Sequence, residues 1–423
     1  MKKSLALAVL LATFCAQVQL QTTTTHNYEF ANGHWFDGQK FVGRTFYSVA
    51  GRLTSKRPSR VDRVFDLSGK FVVPPFGEAH NHNLDWSSDE RFARVNKMYL
   101  DAGIFYVKNP NSLLRSKEPT STRINLPTTV DGILSNGGLT ASGGHPIEIV
   151  TPQRGFKPDD GEGGFYYVID NAADLERKWP IIRAGKPDFI KTYLIYSEEY
   201  AKRKDDKAYD GWKGLDPALL PEIVRRAHRD NLRVSTHVES AVDFHNAVAA
   251  GVDEINHLPG FRPDRNDVAN YVNLARYRIA DADAKLAGKN KIVVVTTIGE
   301  TVEQTFNEKN PESARLAVRS MLVQNLQLLQ KHQVPVAIGS DSFRQTALVE
   351  ALSLAKLQAF DNLTLLKMWC ETTAAAIFPK RKIGHLKDGY EANFLVLAGD
   401  PLADFANVKT IELRFKQGEP LRP

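Results

Sequence analysis

Between Pro74 and residue 382, short apolar runs alternate with amphipathic helical stretches, and that alternation leaves few folds open. The runs are the one ending at His80, then "GIFYVKN", "GILSNGG", "PDFIKTYLIY", "LRVSTHV", "GVDEINH", "KIVVVTT" and "VPVAIGSD". Helical stretches intervene, among them "PALLPEIVRRAHRDN" before the fifth run and "SARLAVRSMLVQNLQLLQKHQ" before the eighth. Eight strands with helices between them predict an α/β chain folded as a (β/α)8 TIM barrel. An open doubly wound sheet is the alternative, but no glycine-rich dinucleotide turn follows the first strand. With 423 residues, 42% of them hydrophobic, the chain can fill such a core and still build an accessory domain. Material for one is present at both ends. Residues 28–73 and the stretch from "IGHLKDGYEANFLVLAGDPL" onward read as short strands separated by Gly, Asn and Asp turns.

The opening "MKKSLALAVLLATFCAQVQLQTTTT" has a Lys-Lys start, an apolar run from Leu5 to Phe14 and a polar tail. That is the pattern of a secretory signal peptide over residues 1–21, cut between Cys15 and Thr22. Phe14 argues against lipid anchoring at Cys15, because such sites want a small residue there. Secretion or a periplasmic location is the expectation. Only Cys370 then remains, so no disulfide within the chain is expected. The formal charge of +6 includes Lys2 and Lys3, and basic residues elsewhere are mixed among acidic ones. No basic stripe interleaved with aromatics supports nucleic-acid binding, and no membrane contact is expected once the leader is gone.

In a barrel, chemistry sits where the strands end at their C-terminal face. The first run ends in His80 and His82, the fifth in His237, the sixth in His257 and the eighth in Asp341, while Lys191 lies inside the fourth. Alone, a strand-end histidine is ordinarily a satisfied core or rim residue. Such residues on five strands together point to a metal centre. Alternation places Lys191 on one face with Phe189, Tyr193 and Ile195, pointing into the barrel. A bare ammonium there would be desolvated and would repel a cation. A lysine converted by carbon dioxide into a carbamate would instead be an anionic oxygen ligand.

The phrases "PPFGEAHNH" and "GHLKDGYEANFLVL", with "GDPL" after it, resemble those that open and close the barrel of the amidohydrolase superfamily of metal-dependent hydrolases. The resemblance covers nearly the whole chain after the leader. It is strongest to the imidazolonepropionase-like and Xaa-Pro dipeptidase-like branch. It implies residues 22–73 and 383–423 combining into a small β-sandwich, with residues 74–382 as the barrel. By resemblance, His80 and His82 bind one divalent ion, His237 and His257 a second, and Lys191 bridges as a carbamate. Asp341 binds metal and serves as the general acid/base. "SGGH" places His145 against a substrate carbonyl. Two departures stand out. Pro75 replaces a usual glycine, with Gly77 later, and "SEEYAKRKDDKAYDGWKGLDP" replaces a shorter connection.

The expected reaction is hydrolysis of a C–N bond, in an amide or cyclic amide, through a hydroxide bridging two metal ions. Zinc suits the ligands best, with manganese, iron or cobalt as alternatives. The substrate would be a small molecule or dipeptide-like compound, and a homo-oligomer is compatible with this reading. An Xaa-Pro dipeptidase would need a cationic partner for a carboxylate. Arg344 is the first candidate, with Arg154 and Lys108 behind it. Deaminase and phosphotriesterase-like chemistries, and a non-catalytic ligand-binding protein that keeps the fold, are the other readings.

Overall fold

The computed structural model describes residues 26–84, 88–261, 274–299 and 312–421. The leader, with Cys15, lies outside them. Of the two cysteines, Cys370 is buried and unbonded to another sulfur.

The chain begins with β1 (Tyr28–Phe36), β2 (Phe41–Val49), β3 (Arg52–Thr54), β4 (Arg63–Asp66) and β5 (Phe71–Val73). The β1–β2 turn is set locally, because Asp37 Oδ1 accepts from the backbone N–H groups of Gln39 and Lys40, both at 2.9 Å. Its neighbour Gly38 takes φ +99°, a conformation that side-chain-bearing residues avoid. From the far end come β16 (Phe394–Leu397), β17 (Ile411–Lys416) and β18 (Glu419–Pro420). All eight form one hydrogen-bonded sheet, ordered β18-β17-β16-β5-β1-β2-β3 with β4 also on β1. Three strand steps separate β1 from β17, about 14 Å in a flat sheet. Yet the Phe30 ring lies 4.9 Å from Phe415 and 4.8 Å from Phe394. The sheet therefore curls on itself, and its concave face holds Phe30, Trp35, Phe394 and Phe415 as a separate core. The two expected layers are one continuous sheet.

The barrel strands are β6 (Phe76–Glu78), β7 (Ile104–Asn109), β8 (Asp131–Leu134), β9 (Gly138–Thr140) and β10 (Tyr166–Val168). They continue as β11 (Phe189–Tyr193), β12 (Arg233–His237), β13 (Glu254–Asn256), β14 (Val293–Val295) and β15 (Val336–Ala337). Every pairing among them is parallel. The last strand returns to the first, since Ala79 N–H donates to Ile338 O at 2.9 Å and Asp341 N–H to His80 O at 2.8 Å. One strand departs from the sequence reading. "GILSNGG" splits into β8, which pairs with β7, and β9, which pairs with β11, with Gly137 at φ +70° in the break. β10 then pairs with β9 as an additional short strand.

Helices close the outside by burying one face. In Leu220–Arg229 that face is Leu220, Ile223, Val224 and Ala227. Helix Ala241–Ala250 starts at a capping box in which Ser240 and Asp243 satisfy each other's backbone N–H. The buried Asp243 carboxylate also accepts from the N–H groups of Tyr196, Ser197 and Glu239 at 2.8–3.0 Å. It thereby ties the loop after β11 to the loop after β12. The departure at Pro75 and Gly77 also has a physical cause. A Cβ on Gly77 would stand 2.6 Å from Thr373 Cγ2, and Gly77 O accepts from Trp369 Nε1 at 2.9 Å. Glycine is needed at 77 because the helical segment over 368–377 lies directly on the first strand.

Candidate metal centre

After β6 the chain bends at Ala79 and His80, with Asn81 N–H bonded to Lys108 O at 3.2 Å. Asn81 faces outward. Its amide donates to Ser340 Oγ at 2.8 Å and it accepts from the Tyr99 hydroxyl at 2.6 Å. His80 and His82 face inward. Both Nε2 atoms converge on a single oxygen, Asp341 Oδ1, at 3.2 Å and 3.0 Å. Asp341 is presented by a left-handed residue conformation, φ +53°. The turn is pinned by buried Glu78, which accepts from Ser340 N–H at 2.8 Å and Ala347 N–H at 2.6 Å. Burial pushes the Glu78 carboxyl up to about 8.

His237 ends β12, and His257 follows β13 at φ +78°. Their rings are 4.2 Å apart, and His257 lies 4.7 Å from His80. Thr297 Oγ1 bonds His257 Nδ1 at 2.6 Å, while Phe261 stacks on the same ring at 3.9 Å. Glu239 Oε1 stands 3.1 Å from His237 Nε2. Lys191, only 1% exposed, donates to Asn256 Oδ1 at 2.5 Å. Asn256 Nδ2 in turn donates to Glu254 Oε1 at 2.7 Å. His145 pairs with Glu148, its ring 5.2 Å from His237 and 5.3 Å from Tyr193.

All of these candidates, His80, His82, His145, Lys191, His237, His257 and Asp341, line one cavity of about 290 Å3. Arg344 does not. It lines a second, outer cavity of about 850 Å3. Lys108 is also elsewhere, because its ammonium is buried against Glu254 Oε1 at 2.6 Å, inside the barrel. Expecting Lys108 to meet a substrate carboxylate is therefore wrong, since its charge is already spent on Glu254.

Protonation suits the donor set to a cation. Burial, then the nearby Lys191 charge, pulls His80 down to about 3. Burial likewise pulls Lys191 down to about 7. For Asp341 burial acts upward, but His80, His82 and His257 outweigh it and hold the carboxyl well below its ordinary range. A neutral imidazole and an ionised carboxylate are the forms that bind metal. Ligand atoms of His80, His82 and Asp341 lie within 4.8 Å of one another. A neutral imidazole offers one N–H at most, so a divalent ion among two Nε2 atoms and a carboxylate satisfies all three. These residues fit a metal.

The sequence model of the Amidohydrolase family matches residues 211–421, a span holding His237, His257 and Asp341. The chain belongs to the amidohydrolase family. Solved structures resemble this amidohydrolase along almost its whole length. A crystal structure of another amidohydrolase aligns with a TM-score of 0.70 at 18% identity, over 93% of this chain and 98% of its own. An Xaa-Pro dipeptidase with methionine bound in its active site gives 0.68 at 17%, over 94% and 100%. The ochratoxinase of A. niger gives 0.69 at 17%, over 94% and 95%. Likeness at such identities establishes the fold. No curated protein matches the chain in sequence.

Several residues of the site escaped the sequence reading. Thr297 ends an apolar strand, "KIVVVTT", which is the same signal that singled out the histidines. Asn256 and Glu254 are two apart in β13, so alternation places both on the inner face beside Lys191. Tyr193, which alternation already sets on one face with Lys191, lines the same cavity.

Proposed function

We propose that this amidohydrolase cleaves the C–N bond of an amide or cyclic amide in a metal-dependent hydrolysis. The observation that carries the reading is the convergence of His80 and His82 on one oxygen of Asp341, beside His237, His257 and Lys191 in a single cavity. His80, His82 and Asp341 would hold one divalent ion and His237 with His257 a second, zinc being best suited. Ions held there would polarise a carbonyl and acidify water near neutral pH. Ionised Asp341 takes a proton from the attacking water and delivers it to the leaving nitrogen. His145 and the Tyr193 hydroxyl, which burial keeps protonated, face the same space and can orient a substrate carbonyl.

Lys191 is the residue we assign to the carbamate. Its Nζ would add to the carbon of CO2 and release one proton. The nitrogen keeps one hydrogen, and Asn256 Oδ1 is already placed to accept it. The leader over residues 1–21 would direct the protein to the periplasm or medium. Among the described residues no helix is long and apolar enough to cross a membrane.

The test is metal analysis of the purified protein with turnover on a panel of Xaa-Pro dipeptides, N-acyl amino acids and lactams. We expect about two divalent ions per chain, and activity that chelation removes and zinc restores. Undiminished hydrolysis after full chelation would refute the metal-dependent reading. Failure to turn over any member of the panel would count against amide hydrolysis.

A further inference from the structure

Outside the metal cavity lies the larger chamber of about 850 Å3. The two are contiguous, since His82, Asn111, Arg154 and Phe343 line both. The inner cavity alone is at the lower limit for ligand sites, roughly 300 Å3, so a substrate with a bulky arm extends outside it. Four features of the outer chamber say what that part is. Arg91, Arg115, Arg154 and Arg344 line it, and among the described residues no aspartate or glutamate does. Arg115 is committed to Asp160, whereas Arg154 and Arg344 are exposed. Phe343 is 52% exposed and stacks on His82 at 4.9 Å, facing a wall that also holds Phe156 and Phe165. Finally, Asn109 and Asn111 are at most 2% exposed, line the chamber, and make no hydrogen bond through either amide atom. Buried amides without partners are costly unless a ligand engages them.

We propose that this chamber recognises the distal arm of the substrate, an anionic group carried on an aromatic body, while the scissile amide occupies the inner cavity. The inference rests on the hydrolase reading for that second clause only. Arg154 and Arg344 meet the anion, Phe343 and Phe165 take the ring, and Asn111 bonds the polar link at the junction. A neutral or cationic arm of equal size would leave the arginines uncompensated and bind more weakly.

The test is equilibrium binding to the metal-containing protein, with probes that have no scissile carbonyl amide. Naphthylsulfonyl-phenylalanine supplies the ring and the carboxylate, and naphthylsulfonyl-phenylalaninol is its neutral twin. The acid should bind about tenfold tighter than the alcohol, as charged hydrogen bonds allow. Arg154→Gln with Arg344→Gln, both exposed, should abolish that preference and leave the alcohol's affinity unchanged. Phe343→Ala should weaken both probes alike. Equal binding of acid and alcohol, no binding of either, or a preference that survives the double arginine variant would overturn the proposal. Charge-selective binding without hydrolysis of any amide would instead overturn the hydrolase reading and leave the chamber's assignment standing.

Discussion

Replacing Glu254 by glutamine should destabilise the barrel while changing almost no volume. The Glu254 carboxylate is 1% exposed, and its Oε1 accepts from Lys108 at 2.6 Å, Asn256 at 2.7 Å and Ser235 at 2.9 Å. Burial works to raise its pKa, but Lys108 first, then Arg233, hold it at about 2 instead of 4.5. A depressed pKa means stability that is fully present above pH 4.5 and lost as pH falls toward 2. At 1.36 kcal/mol per unit the shift is worth on the order of 3 kcal/mol. Glu254→Gln forfeits that and leaves the Lys108 ammonium buried without a counter-charge, a loss of about 3–5 kcal/mol. Lys108→Met should cost a similar amount. The double variant Lys108→Met with Glu254→Gln removes both charges and should recover at least half of the summed loss. Guanidinium unfolding followed by tryptophan fluorescence measures all four proteins, after chelation so that metal affinity does not contribute. The wild type should also show an excess loss between pH 4.5 and 2 that Glu254→Gln lacks. Single variants within 1 kcal/mol of wild type, or a double variant as damaged as the two singles combined, would refute the reasoning.

Other outcomes follow from the same geometry. His80→Ala or His82→Ala should lower bound metal by about one ion per chain, read by elemental analysis, and retention of all metal in the double variant would sink the ligand assignment. Lys191→Ala should abolish hydrolysis, and propionate should restore part of it by bridging in the vacated space. Lys191→Arg should not be rescued, because a guanidinium forms no carbamate. Activity of Lys191→Ala equal to wild type would end the carbamate proposal. At Gly138, opposite Lys191 in the parallel register, a Cβ would fall 2.3 Å from Tyr193 Cε2 and 2.5 Å from Asn111 Oδ1. Gly138→Ala should therefore cost about 1–3 kcal/mol and raise KM, and a wild-type melting point and KM would show that those contacts relax freely.

Much of the metal centre was legible because strand alternation and strand ends are local properties. Alternation set Lys191 on one face with Phe189 and Tyr193, and His80 and His82 stood out by their spacing at a strand end, although the chain bends there. Partners across the barrel were not legible. Lys108 and Glu254 are 146 residues apart, and no local pattern pairs them. Which cavity Arg344 lines was not legible for a related reason. It lies three residues from Asp341, but the turn held by Glu78 sends it to the outer chamber. The small domain was readable as strands at both ends. That they form one curled sheet depends on β5 pairing with β16, Val73 opposite Leu395, a register that only the assembled chain defines.

That pairing also sets a timetable. β5 runs straight through Pro74 and Pro75 into the strand that delivers His80 and His82, and its neighbour β16 begins at Phe394. During synthesis at roughly 5–20 residues per second, the early strand waits tens of seconds for the partner that fixes its edge. His82 emerges 259 residues ahead of Asp341, and β16 follows later still. A fragment released early would carry His80 and His82 with neither β16 beside them nor Asp341 across from them. Which strands are neighbours therefore decides that His80 and His82 meet Asp341 and gain the support of β16 only after the rest of the barrel has been made.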